Sequence, residues 1–275
     1  MIDFRRADLH THTHYSDGQL APTDLVLKAR QHGVQALAIT DHDTVDGLEE
    51  GFAAGREHGI EVVAGVELSV TVGEEEIHLL GYFFDPQHEG LQRHLRRFRQ
   101  HRHRRAEKMV ERLNAMDVPV TFEAVLEEAG GGALGRPHVA AALVRAGHVA
   151  SHQEAFERYI KDGAPAWVAK PRFPAEAALA LLHEAGGLGV IAHPGHWTSD
   201  AVLMALVRAG LDGVETVHPS HDETLRRYYR QQARDFGLIE TGGSDYHGFR
   251  PQDEANLGRY TIPYPQLDRI RRSAA

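Results

Sequence analysis

The sequence predicts an α/β fold: a parallel barrel of about seven strands, interrupted by an inserted helical subdomain. Short, largely apolar runs alternate with amphipathic stretches near both ends of the chain, the pattern of parallel strands buried on both faces. Acidic and imidazole side chains recur in or just after those runs, where the C-terminal ends of parallel strands build sites. Between residues 90 and 170 the strand signal disappears, and Leu91, Leu95, Phe98, Ala106, Met109, Val110 and Leu113 recur at helical spacing between arginine-rich faces.

The first strand spans Ala7–Thr11 and opens the histidine-rich stretch Asp8–Gly18. A helix over Thr23–His32 starts at the Pro22-Thr23 turn, and the strand Ala36–Thr40 runs into DHDTVDG. A helix over Val45–His58 leads to the strand Glu61–Val72, which a turn at Glu74-Glu75 separates from the strand Ile77–Phe84. Helices over Phe122–Ala129, Pro137–Arg145 and Gln153–Ile160 complete the insert, with Gly130–Gly135 as a flexible connection. Alternation then resumes: helix Pro174–Ala185, strand Leu188–Ala192, helix Asp200–Ala209, strand Gly213–Val217, helix Glu223–Phe236, strand Leu238–Thr241 and a last helix Tyr264–Ser273. The expected division is a barrel of residues 1–89 and 171–275 with an insert over 90–170.

Composition narrows the chemistry. The 275 residues are 42% hydrophobic and 25% charged, enough for one large domain with an insertion. No apolar run reaches the roughly 18 residues of a membrane span, and MIDFRRADLH lacks a signal core, so the chain reads as soluble, unsecreted and cytoplasmic, with no membrane and no obligate protein partner. Cysteine is absent, so any metal must be held by imidazole and carboxylate, a donor set that suits zinc, manganese or iron. A formal charge of −9 argues against a general nucleic-acid coat, whereas 20 histidines are a loud signal for ligation or proton chemistry.

The strand-end polar residues are His10, His12, Asp17, His42, Glu67, His78, His193, Asp245 and His247, in the settings HTH, YSDG, TDHD, GVELS, IHLLGY, AHPG and GSDYH. On a strand His10 and His12 project the same way and can grip one ion. Singly, Asp17 reads equally as a turn cap and His78 as a satisfied core imidazole. Together, this many acids and imidazoles at apolar strand ends demand a neutralising metal. Asp8 reads as a partner behind the ligands, and Asp41 and Asp43 as caps or supports.

These motifs resemble the polymerase and histidinol phosphatase (PHP) family, across both halves of the chain but not the insert. Within it the likeness is greatest to small phosphatases acting on 3′,5′-nucleoside bisphosphates and on the ends of short RNA. The resemblance implies a distorted seven-stranded (β/α)7 PHP barrel with two or three divalent ions, manganese first, with zinc or iron as alternatives. It assigns His10, His12, Glu67 and Asp245 to one ion, with Glu67 bridging to a second held by His78 and His193, and Asp17, His42 and His247 to a third. It also implies that a basic residue of the insert meets the substrate phosphate; the candidates are Arg136, His138 and Lys170. Glu67 and Asp245 would carry the catalytic metals, and His196 in HPGH and His221 in HPSH are candidates for donating a proton to the leaving group.

A phosphomonoester near neutral pH carries about two negative charges that repel hydroxide; clustered divalent ions cancel them and activate water. The expected reaction is direct attack of a metal-bridging hydroxide on phosphorus, without a covalent phospho-enzyme. The expected substrate is a nucleoside 3′,5′-bisphosphate, such as pAp yielding AMP, with 5′-3′ processing of short RNA as an extension. A histidinol-phosphate-type phosphatase and a non-catalytic metal-binding regulatory module are the alternatives. The segment Arg93–Arg105, RHLRRFRQHRHRR, is either a solvated helix face or a guide for polyanions.

Overall fold

The computed structural model describes residues 5–274; the outermost residues of the two expected barrel segments lie outside it. Its strands are β1 (Arg6–Asp8), β2 (Ala36–Ile39), β3 (Glu61–Val72), β4 (Glu75–Tyr82), β5 (Leu188–Ile191), β6 (Gly213–Val217), β7 (Ile239–Gly242) and β8 (Ile262–Pro263). They form a single sheet in the order β7-β6-β5-β4-β3-β2-β1-β8. Beyond β1 the chain stays tied to the end of β2, with Thr40 N–H donating to Thr11 O at 2.8 Å, and also meets the far edge, where Leu9 N–H donates to Gly242 O at 3.1 Å and His12 N–H to Tyr246 O at 2.9 Å. The sheet is thereby nearly closed into a barrel.

Three expectations are corrected. The barrel is not wholly parallel: β4 runs antiparallel to both β3 and β5. The reason was visible at Gly73-Glu74, since a two-residue connection can join only antiparallel neighbours. The sheet also has eight strands rather than about seven, because the brief β8 pairs antiparallel with β1. The first strand is shorter than Ala7–Thr11, since Leu9–His12 turn toward β7.

Helices α1 (Pro22–Gln31), α2 (Leu48–His58), α7 (Ala175–Glu184), α8 (Asp200–Arg208) and α9 (Glu223–Phe236) pack around the sheet. Strand alternation sorts two layers: Leu37 and Ile39 face the helices, while Ala36 and Ala38 face a second cluster with Ala7, Leu80, Tyr82 and Val190. The final helix α11 (Tyr264–Ala274) adds Leu267 and Ile270 to that inner cluster.

The segment between β4 and β5 holds α3 (Glu89–Asn114), α4 (Phe122–Ala129), α5 (Arg136–Arg145) and α6 (His152–Ala155), the last continuing through a wider π-type turn over Phe156–Ile160. Helix α3 belongs to two cores. Leu91 and Leu95 pack with the barrel, whereas Met109, Val110 and Leu113 join Val125, Val139 and Leu143 in a separate cluster. Gly130–Gly135 is not a loose connection: Ala133 N–H donates to Tyr15 O at 2.7 Å, and Gly132 lies so close to the backbone of His14 that a Cβ there would sit 2.3 Å from its carbonyl oxygen. The short α10 (Asp253–Asn256), not foreseen, serves the loop after β7. Among the described residues no helix is long and apolar enough to cross a membrane.

Candidate metal centre

Glu67, buried in β3, is the centre of the arrangement. Its Oε2 lies 3.2 Å from His10 Nε2, His12 Nε2 and His42 Nδ1, and its Oε1 lies 2.7 Å from His78 Nδ1 and 3.0 Å from His193 Nε2. His10 and His12 thus share a direction, flanking Thr11, whose isolated bridge to Tyr246 keeps this segment extended beyond β1. Asp245 Oδ1 completes their group at 3.4 and 3.3 Å. Asp17 gathers a neighbouring group, with Oδ1 3.3 Å from His247 Nε2 and Oδ2 3.8 Å from His42 Nε2. The structure therefore brings together all nine sequence candidates, with His42 shared between the Asp17 and Glu67 groups.

Most of these candidates sit at a strand end or on the loop beyond it, whereas Glu67 lies within the long β3. The antiparallel β4 brings His78 to the same rim from its N-terminal half, pairing it with Ser69 of β3. His193 and Asp245 adopt positive φ values of 27° and 50°, and Asp43, beside His42, one of 53°. Left-handed backbone at non-glycine residues is sparse and tends to mark sites that the surrounding structure over-determines.

Buried carboxylates hold the loops. Asp41 accepts from Thr13 N–H at 2.8 Å and from the hydroxyls of Thr13 and Ser16, both at 2.6 Å, which fixes the turn carrying Asp17. Asp8, pushed up to about 6 by burial, accepts from Ser244 N–H at 2.9 Å and so steadies the segment before Asp245. Asp253 of α10 accepts from the backbone N–H groups of His247 and Gly248. Asp43 accepts from Ser69 and is ion-paired with Arg102 of α3, which also donates to Leu134 O.

Sequence reasoning missed three residues. Glu215, fully buried in β6, faces His10 Nδ1 at 3.0 Å and accepts His193 N–H at 2.7 Å, orienting two histidines at once. His218 has its Nε2 3.7 Å from Asp245 Oδ2 and groups with His10 and Glu215. Arg250 donates to Asp245 Oδ2 at 3.0 Å. The first two had a signal: an acid in the apolar run GVETV, and the tripeptide HPS at 218, which repeats the strand-end HPG at 193.

The expected proton donors fare differently. His221 Nε2 accepts Gly195 N–H at 3.1 Å and its Nδ1 faces Thr216 O at 3.2 Å, so the buried ring has no nitrogen left for a leaving group. Burial lowers it to about 4. His196 is exposed on the loop after β5. Of the substrate candidates, Arg136 is turned away from the role expected of it: its guanidinium pairs with Asp162 and lies 5.6 Å over the Phe156 ring, within the insert. His138 is buried beside Ser16 and Asp17, with Nδ1 accepting Gly135 N–H at 3.0 Å. Lys170 Nζ lies 3.4 Å from Ser69 Oγ and 3.5 Å from Glu76, close enough to influence His78.

The donor set fits divalent ions. His12 Nε2, His42 Nδ1, His78 Nδ1 and His218 Nε2 are buried and make no hydrogen bond, although carboxylate oxygens surround them. Burial opposes charge on Glu67, Asp17 and Asp245, yet the neighbouring imidazoles hold all three well below the usual carboxylate range. Burial likewise opposes the proton on His12, but Asp245 and Glu67 raise it to about 10, whereas burial drives His42 down to about 3. Without ions, imidazole protons supply the positive charge these carboxylates require; metal binding displaces such protons.

Comparison with known proteins agrees with this geometry. The family model described as PHP domain matches residues 8–239. The 5′-3′ exoribonuclease of Haemophilus influenzae is 33% identical over 88% of this chain and 90% of its own length. The 3′,5′-nucleoside bisphosphate phosphatase of Chromobacterium violaceum is 32% identical over 87% of this chain and 86% of its own. The crystal structure of a protein of Bifidobacterium adolescentis, provisionally named a metal-dependent phosphoesterase, superposes with a TM-score of 0.90 at 33% identity, covering 97% of this chain and 96% of that one.

Proposed function

We propose, because this chain belongs to the PHP domain family and is a metal-dependent phosphoesterase, that it removes the 3′-phosphate of nucleoside 3′,5′-bisphosphates and also processes short RNA from the 5′ end. The observation that carries this reading is the convergence of His10, His12, His42, His78 and His193 on the single buried carboxylate of Glu67. On this reading His10, His12, Glu67 and Asp245 hold one ion, Glu67, His78 and His193 a second, and Asp17, His42 and His247 a third, with His218 an added donor beside Asp245. Such ions, when bound, neutralise phosphate charge and make water acidic enough to act as a nucleophile near neutral pH.

The chain's own residues do the rest. Glu215 keeps His10 in a single orientation and pins the His193 backbone, so the donors are pre-set rather than assembled on binding. Arg250 limits the motion of Asp245. Lys170 places a cation beside His78, where a substrate oxyanion can meet it. The insert is tied to the segment just before Asp17 through Gly132 and Ala133, which helps hold that loop in place.

Phosphate release by manganese-loaded protein from adenosine 3′,5′-bisphosphate, compared with AMP, histidinol phosphate and a short 5′-phosphorylated RNA, tests the proposal. Preference for the bisphosphate, lost in Glu67→Gln, is the expected result. Release from histidinol phosphate alone would discard the substrate and keep the chemistry. Silence toward every substrate would refute the proposed hydrolysis.

A further inference from the structure

The chain has two tryptophans, and both line one cleft of about 510 Å³ at the edge of the centre. Trp197, on the loop that follows His193, is 63% exposed. An indole left this open on a loop six residues past a strand end has no packing role that explains it. It is nevertheless held: the ring lies against Gly195, where a Cβ would sit 2.5 Å from its carbons, and Gly195 N–H is fixed to His221. Trp167 enters the same cleft from the insert, and the β3–β4 turn forms a wall with Glu74, Glu75, Glu76 and Ile77.

Ile77 precedes His78 in β4, and Lys170, which also lines the cleft, faces Ser69 opposite His78. The cleft therefore borders the Glu67, His78 and His193 group, sharing Lys170 with its rim, and Trp197 lies four residues beyond His193. Its charged lining is largely paired: Arg172 with Glu74, Lys170 close to Glu76, and Asp162 with Arg136, which leaves Glu75 in excess. With its cations already engaged, the cleft offers little to hold a second phosphate. It suits an uncharged planar ring whose edge donates hydrogen bonds.

We propose that this cleft is a nucleobase subsite, in which the base of the substrate stacks on Trp197 while its sugar-phosphate passes Lys170 toward Glu67. The inference rests on the nucleotide reading of the centre given above. It assigns base recognition to Trp197, Trp167 and the β3–β4 turn, and leaves phosphate recognition to Lys170 and the ligand cluster. Stacking on an aromatic side chain tolerates any base, so the subsite predicts weak discrimination between bases and strong discrimination against base-free phosphates.

Trp167→Phe leaves Trp197 as the only indole. This protein, loaded with manganese, is titrated with AMP and with ribose 5-phosphate, reading Trp197 emission and, in parallel, heat. Saturable quenching by AMP and none by ribose 5-phosphate supports the subsite. Trp197→Ala is then expected to weaken AMP binding on the order of tenfold and leave ribose 5-phosphate binding unchanged. Should Trp167→Phe not fold, the difference between the wild type and Trp197→Phe reports the same signal. Heat from AMP without quenching overturns the subsite alone, whereas neither heat nor quenching from AMP overturns the subsite together with the nucleotide reading beneath it.

Discussion

Glu215 touches no site reserved for substrate, yet it is the residue on which two donors depend, because one carboxylate oxygen faces His10 and the other the His193 backbone. Glu215→Gln keeps the volume and removes the charge; metal affinity, followed by ion titration, is expected to fall roughly 10- to 100-fold. His218 and His221 are three residues apart and opposite in kind. His218→Ala is expected to lower metal content, whereas His221→Gln should leave it near wild type and change acid stability. His221 sits at about 4 in the folded protein against the ordinary histidine value in the unfolded chain, so below that ordinary value the unfolded state binds the extra proton and stability falls with acidification. The loss between pH 7 and pH 5 is about 2 kcal/mol, present in the wild type and absent in His221→Gln, and denaturant midpoints at the two pH values measure it. The clustering of the candidate ligands was legible because metal coordination restricts residue type and strand ends restrict place. His221 was misread because a second histidine near a strand end resembles a donor until its two nitrogens are seen to be occupied by backbone groups, which spacing alone does not reveal.

At the scale of elements, the junction between insert and barrel is narrow and specific. Gly132→Ala would drive a Cβ into the carbonyl of His14 and push the α4–α5 connection away from the Asp17 loop. The expected result is a stability loss of about 1–3 kcal/mol with reduced activity, read by denaturant titration alongside phosphate release. The Asp43–Arg102 pair is the other tie, and its side chains are 1% and 11% exposed. Arg102→Ala strands a buried carboxylate and is expected to cost about 3–5 kcal/mol, whereas Asp43→Asn combined with Arg102→Met costs less, a difference that a double-mutant cycle measures. Helix periodicity located α3 to α5 well, since their apolar stripes are long. It could not show that α3 serves two cores, because the stripe is continuous while its neighbours change from Leu179 and Phe84 of the barrel to Val125 and Leu143 of the insert.

Across the whole molecule, the acids and imidazoles of one rim come from segments spanning His10 to His247, so occupancy of the centre is linked to the stability of the entire barrel. Chelation is expected to lower the thermal midpoint, and manganese to restore it; with free ion at about a hundred times its dissociation constant the stabilisation amounts to about 2.7 kcal/mol per site. Differential scanning calorimetry in the presence and absence of chelator reads the shift. Near-closure of the sheet was anticipated from alternating strands and helices, while the reversal of β4 was overlooked because apolar content reports burial and not direction. That reversal has a practical outcome. The tip at Gly73 projects beyond the barrel rim with no atoms crowding the space where a Cβ would point, so its length can vary without disturbing the strand pairing below. A homologue or a designed variant with a longer tip would raise one bank of the tryptophan-lined cleft and leave the candidate ligand cluster untouched.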